Sequence, residues 1–90
     1  MRHRADNNQS NIVRLLRTIP GVSVQVLSQV GDDCPDLLVG HNHKNFLFEI
    51  KRPKGQLTTG QKEWHGKWRG QVAVVKFLDD AIRIINGGKQ

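Results

Sequence analysis

The stretch that decides the reading of this chain is Pro35-Asp36-Leu37-Leu38-Val39-Gly40-His41-Asn42-His43-Lys44-Asn45-Phe46-Leu47-Phe48-Glu49-Ile50-Lys51. Two apolar runs, Leu37 to Val39 and Phe46 to Ile50, flank the turn-forming residues Gly40 to Asn45, which is the pattern of a β-hairpin. Each arm carries an acid where a buried strand would prefer an apolar residue. Pairing Gly40 with Asn45 around a four-residue loop places Asp36 opposite Glu49 and Leu38 opposite Leu47. Side chains alternate along each strand, so Asp36, Glu49 and Lys51 share one face. Two carboxylates held side by side repel unless a cation or a proton neutralises them. The arrangement therefore predicts a metal site with an ammonium group beside it.

The spelling of the site is also familiar. Asp36, twelve intervening residues, then Glu49-Ile50-Lys51 resembles the PD-(D/E)xK signature of restriction-endonuclease-like nucleases, with Pro35 supplying the proline. Downstream, Leu57-Thr58-Thr59-Gly60-Gln61-Lys62-Glu63-Trp64-His65 resembles the Leu-Thr/Ser-x-x-Gln-x-x-Trp-His segment of the VRR-NUC nucleases, in particular their small stand-alone phage and bacterial members. Val72-Ala73-Val74-Val75-Lys76 stands in place of the strand that names that family, with Val75-Lys76 where the name has Val-Arg-Arg. The likeness runs from about residue 5 to residue 86. It implies an α/β restriction-endonuclease-like core, a mixed central sheet flanked by helices in the order α-β-β-β-α-β-α.

Ninety residues make one domain, spanning 1–90, with room for a single small core. Hydrophobic content of 37% is low for a self-sufficient globule, and chains this short often gain stability by oligomerising. The formal charge of +6 suits a polyanion, nucleic acid being the usual one. Cys34 is the only cysteine, which rules out an internal disulfide and a cysteine-based zinc site. No run approaches the ~18 apolar residues of a membrane span, and Met1-Arg2-His3-Arg4-Ala5-Asp6 lacks the apolar stretch of a signal peptide. The chain reads as cytoplasmic.

Periodicity organises the rest. Ile12, Leu15, Leu16 and Ile19 recur at helical spacing, which predicts a helix over 7–18 capped by Asp6 or Asn7 and stopped by Pro20-Gly21. Val22 to Leu27 alternates as a half-buried strand. Gln29 to Pro35 reads as a loop, and Pro53 to Gln56 as a turn. Thr58 or Thr59 is expected to cap a second helix over about 59–69, ended by Gly70. The continuous apolar run from Val72 to Phe77 predicts a strand buried on both faces. A last helix, Ala81 to Ile85, is expected to take Asp79 or Asp80 as its cap.

As oxygen donors, Asp36 and Glu49 suit Mg²⁺ or Mn²⁺, since Mg²⁺ takes one or two carboxylates and keeps several waters. Lys51, on the same face, is placed to stabilise a phosphate under attack; its ordinary use would be a surface lysine. The resemblance implies that Lys51 is catalytic, that the backbone carbonyl of Ile50 joins Asp36 and Glu49 as a metal ligand, and that Gln61 sits beside the lysine, bonded to it or to the phosphate. The Ile50 side chain is expected to point to the opposite face, into core. His65 lies one turn beyond Gln61 on the same helix face and reads as a packed, hydrogen-bonded side chain. Related nucleases often place a glutamate in the first helix. Here that position falls to Asp6 or Asn8, in a polar cluster with Gln9, and capping is an equal use for them. His41 and His43 belong to a solvated turn, about three residues (~10 Å) from the acids. Trp64 and Trp68, at helical spacing beside Leu57, are expected in the core or at a dimer contact, with base stacking as the other use. Lysines and arginines, among them Arg14, Arg17, Arg52, Lys54 and Lys62, supply a field for phosphates.

The expectation is a metal-dependent DNA endonuclease, a homodimer acting on branched DNA such as four-way (Holliday) junctions. A restriction-type enzyme reading a defined sequence would share the same catalytic residues. A non-catalytic nucleic-acid-binding module would keep the basic surface without needing the acid pair.

Overall fold

Residues 4–88 are described by the computed structural model, in the order α1 (Arg4–Arg17), β1 (Val22–Val26), β2 (Leu37–His41), β3 (Lys44–Ile50), α2 (Thr59–Lys67), β4 (Ala73–Val75) and α3 (Leu78–Ile85). The order is the expected α-β-β-β-α-β-α. β2 and β3 form the hairpin, with Gly40 opposite Asn45 and Leu38 opposite Leu47 as the sequence predicts. The loop is shorter than the expected four residues, because His41 also pairs with Lys44. Asn42 and His43 make the turn at φ 56 and 64. Both central residues at positive φ match the right-handed strand twist, and Asn and His tolerate that region better than most side chains. Adding one pair at the turn leaves the register untouched, so the faces are those predicted.

β1 pairs antiparallel with β2, and β4 pairs parallel with β3, giving the sheet order β1-β2-β3-β4. One face of the sheet holds Leu37, Val39, Phe46, Phe48, Ile50, Ala73 and Val75, all buried. Against it pack Ile12, Val13 and Leu16 of α1 and Ala81, Ile84 and Ile85 of α3. Ile50 thus points into the core, as expected. Alternation sends Leu38, Leu47 and Glu49 to the other face, where α2 lies.

Several boundaries move. α1 begins at Arg4, so Asp6 and Asn7 fall inside the helix rather than capping it. The strand expected over 72–77 shortens to Ala73–Val75 and is not buried on both faces: Val74 is 37% exposed and Phe77 55%. β4 is an edge strand, and the two helices of the core cover only one of its faces. α3 starts at Leu78, earlier than expected, with Asp80 in its first turn instead of at the cap. The Asp80 carboxylate reaches back to accept hydrogen bonds from the amides of Lys76 and Phe77, at 3.0 and 3.1 Å. α2 contributes no buried residue, so the tryptophans are not in the core as one reading had it. They stack on one another with ring centroids 4.6 Å apart, and Trp68 is 44% exposed. Gln71 continues the ladder where β4 has not yet begun: its amide accepts from the Leu47 N–H at 2.6 Å and donates to the Leu47 carbonyl at 3.2 Å. Among the described residues no helix is long and apolar enough to cross a membrane.

Phe48 is fully buried and central in the sheet, so Phe48→Ala should cost about 3–5 kcal/mol. In a domain of this size that is a large share of the total stability. Urea unfolding should show a much lower midpoint, while Leu38→Ala, on the half-open face, should cost less.

Candidate active site

Asp36 sits at the entrance of β2. Its carbonyl accepts from the amide of Leu27 at 2.7 Å, and the buried ring of Pro35 precedes it, so its backbone is held on both sides. Its carboxylate accepts from the Ile50 N–H at 2.8 Å, which ties the acid directly to the neighbouring strand. Glu49 lies across the ladder, on the face away from the core, yet is only 1% exposed. The ladder ends one pair short of the expected Asp36–Glu49 partnership, at Leu37 opposite Phe48, and the negative charge of Asp36 still acts on Glu49.

The lid on Glu49 is α2. Thr58 caps this helix, as one of the two expected threonines, through a reciprocal box: Gln61 N–H donates to the Thr58 hydroxyl at 3.2 Å and the Thr58 N–H to Gln61 Oε1 at 2.9 Å. The other end of the same amide, Gln61 Nε2, donates to Glu49 Oε2 at 3.3 Å. Gln61 therefore contacts the glutamate, where the resemblance implied a bond to Lys51 or to the phosphate. One helical turn on, His65 brings Nε2 to 3.7 Å from Glu49 Oε1. Neither of these two atoms has a hydrogen-bond partner, and both are buried. The Trp64 ring meets the imidazole edge-on at 6.0 Å and 70°. Reading the sequence put His65 on the correct face but gave it only a packing role; the four-residue spacing from Gln61 was the signal.

Burial pushes the Glu49 carboxyl up to about 8, helped by its hydrogen bond with Asp36 and by the negative charge there; the Lys51 ammonium works against this. Burial holds the His65 imidazole below its ordinary value, and the positive charge of Lys51 adds to the effect. Lys51 thus exerts its field on both groups, from the face the sequence assigned to it. A third acid, Asp33, also raises Glu49 from the loop before Pro35. A Cβ on Gly60 would collide with the Asp33 carboxylate, so the glycine lets that loop close on the start of α2. The thiol of Cys34 is raised by burial and by the surrounding acids, which makes it a poor nucleophile.

The polar residues of α1 divide. Asn8 Nδ2 donates to the Lys51 carbonyl at 2.7 Å and reaches the Lys76 carbonyl at 3.4 Å, so it clamps two strand ends beside the site. Gln9 turns to Ser28 Oγ at 3.1 Å. The Asp6 side chain lies outside the described residues. His41 is a strand residue whose Nδ1 is 3.3 Å from the Gly21 carbonyl, and His43 belongs to the turn, apart from the acid pair. Among the described residues no three side chains of His, Cys, Asp or Glu form a ready-made metal cluster. The donor chemistry still fits a cation: a buried carboxyl beside a second acid, with one oxygen unpartnered, lacks the counter-charge that an ion would bring.

No family model and no curated protein matches the sequence. Among solved structures, a chain described as a VRR_NUC domain matches with a TM-score of 0.72 over 96% of this chain and 98% of its own, at 22% identity. The fold is that of a VRR_NUC domain. The architecture implied by the hairpin and the Gln helix is therefore the one observed. The VRR_NUC fold supplies the frame, and the roles of individual side chains rest on the distances above.

A carboxyl raised on folding stabilises the fold while it is protonated in both states' reference range, below the ordinary value of 4.5, and that contribution is lost as pH rises through about 8. The metal-free protein should therefore melt at progressively lower temperature as pH increases across this window. Glu49→Gln, which cannot ionise, should flatten the slope in thermal melts run at several pH values. A wild-type slope no steeper than that of Glu49→Gln would mean that Glu49 is ionised in the apo fold.

Proposed function

We propose that this protein is a metal-dependent endonuclease that hydrolyses phosphodiester bonds in DNA. The observation that carries the reading is the buried Glu49 beside the half-buried Asp36, with Lys51 acting on it from close by. Such a pair is unfavourable by itself, and a divalent cation relieves both the burial and the repulsion. Asp36, Glu49 and the carbonyl of Ile50 would hold Mg²⁺ or Mn²⁺. When bound, the ion polarises the phosphate and acidifies a water. Lys51 brings positive charge to the oxygens of the phosphate as the transition state forms. Gln61 acts through Glu49, fixing one carboxylate oxygen so that the other stays free for its ligand.

The surroundings suit a polyanionic substrate. Immediately after Lys51 the chain forms an open cleft lined by Arg52, Pro53, Lys54 and Gly55, which places two cations next to the site. The net charge of +6 acts in the same sense. A domain of 90 residues has little surface for reading bases, which favours recognition of DNA shape through phosphates. Branched DNA such as a four-way junction is the proposed substrate, cut by a homodimer that presents two sites.

Labelled linear, flap and four-way DNA should be cut in Mg²⁺ or Mn²⁺, with the four-way substrate preferred. Asp36→Ala and Glu49→Ala should abolish cleavage and keep DNA binding, whose log affinity should fall linearly with log salt. Lys51→Ala should lower single-turnover rates by about 10²-fold while retaining metal binding. Cutting by Asp36→Ala at the wild-type rate would remove the assignment. Light scattering alongside the assays should give a dimer, and full activity from a monomer would exclude the paired-site model.

A further inference from the structure

We propose that His65 is a nitrogen ligand to the same cation as Glu49, so that the site prefers Mn²⁺ and similar transition metals to Mg²⁺. The inference rests on the metal-dependent reading above and adds a donor to it. Glu49 Oε1 and His65 Nε2 face each other at 3.7 Å, buried and without partners. That distance discriminates between the ways two such atoms can be joined. It is too long for a hydrogen bond, which needs roughly 2.7–3.2 Å. It is too short for a comfortable bridging water, whose two bonds of about 2.8 Å at a tetrahedral angle would set the end atoms roughly 4.5 Å apart. Two ligands about 2.1 Å from one ion stand roughly 3.0 Å apart at the 90° of an octahedral site and roughly 3.4 Å apart at a tetrahedral angle, so the two atoms need to close by less than about 1 Å to share one ion. What the gap shows is two buried donors that face each other with no hydrogen bond between them, so an ion can be taken up by both.

The surroundings hold both atoms in this relation. Gln61 takes the other oxygen of Glu49, which leaves Oε1 aimed at the histidine. The edge contact with Trp64, itself stacked on Trp68, fixes the imidazole plane. The side chain of His65 is 14% exposed, enough for access from one side. Imidazole is a good ligand for Mn²⁺, Zn²⁺ and Co²⁺, whereas Mg²⁺ prefers oxygen donors and retains its waters. A histidine in the coordination sphere therefore changes which metal is favoured without changing which acids hold it.

The test uses the full chain labelled with ¹⁵N-histidine and loaded with Mn²⁺, read by pulsed electron paramagnetic resonance. Directly bound nitrogen gives a hyperfine coupling that a distant histidine does not. We expect that coupling in the wild type and its loss in His65→Gln, with thermal melts confirming that the variant folds. Calorimetric titrations should show a Mn²⁺ over Mg²⁺ preference that falls at least about tenfold in His65→Gln, because its amide replaces a nitrogen donor by an oxygen. Bound Mn²⁺ that depends on Glu49 but shows no nitrogen coupling and an unchanged preference would overturn this inference alone. Mn²⁺ binding that is absent, or unaffected by Glu49→Ala, would overturn the metal-dependent reading and this inference with it.

Discussion

A glutamate only 1% exposed, set beside a second acid, is the constraint on which the rest of this structure turns. Burial alone makes an ionised carboxylate costly, and an adjacent acid makes it more so. Most of the neighbouring polar contacts can be read as responses to that cost. The Ile50 amide takes one charge, the Gln61 amide takes part of the other, and Lys51 adds a compensating field. The compensation stops short at one oxygen. That unpartnered oxygen is the feature on which the proposed metal site rests.

The same constraint explains how α2 is held. Helices usually dock by an apolar stripe, but this one has no buried residue. Its anchors are polar or at the surface: Gln61 and His65 over Glu49, Gly60 against Asp33, and the Trp64–Trp68 stack continuing to the Gln71 carbonyl through Trp68 Nε1 at 3.2 Å. The opposite face behaves differently. There α1 and α3 close over a continuous apolar layer, and Asn8 fastens the ends of two strands so that the backbone beneath Lys51 does not move freely. An apolar face and a polar face share one sheet only four strands wide.

The sequence by itself determined the hairpin register, since a period of two and one turn leave a single pairing that buries Leu37, Val39, Phe46 and Phe48 together. From that register followed the common face of Asp36, Glu49 and Lys51, and the capping box of α2 was equally local. Tertiary structure decided what those side chains meet. The clamp of Asn8 on Lys51 spans 43 residues and the Gln71 pairing with Leu47 spans 24, and no short-range rule anticipates either. The exposure of Val74 depended on β4 lying at an edge that α2 does not cover, a matter of placement and not of hydropathy. His65 was legible as a position on a helix face. Its open approach to Glu49 appeared only once the helix had been laid across the sheet, because distance between side chains is fixed by how elements pack, whereas alternation and helical spacing fix only the direction in which each side chain leaves its own backbone.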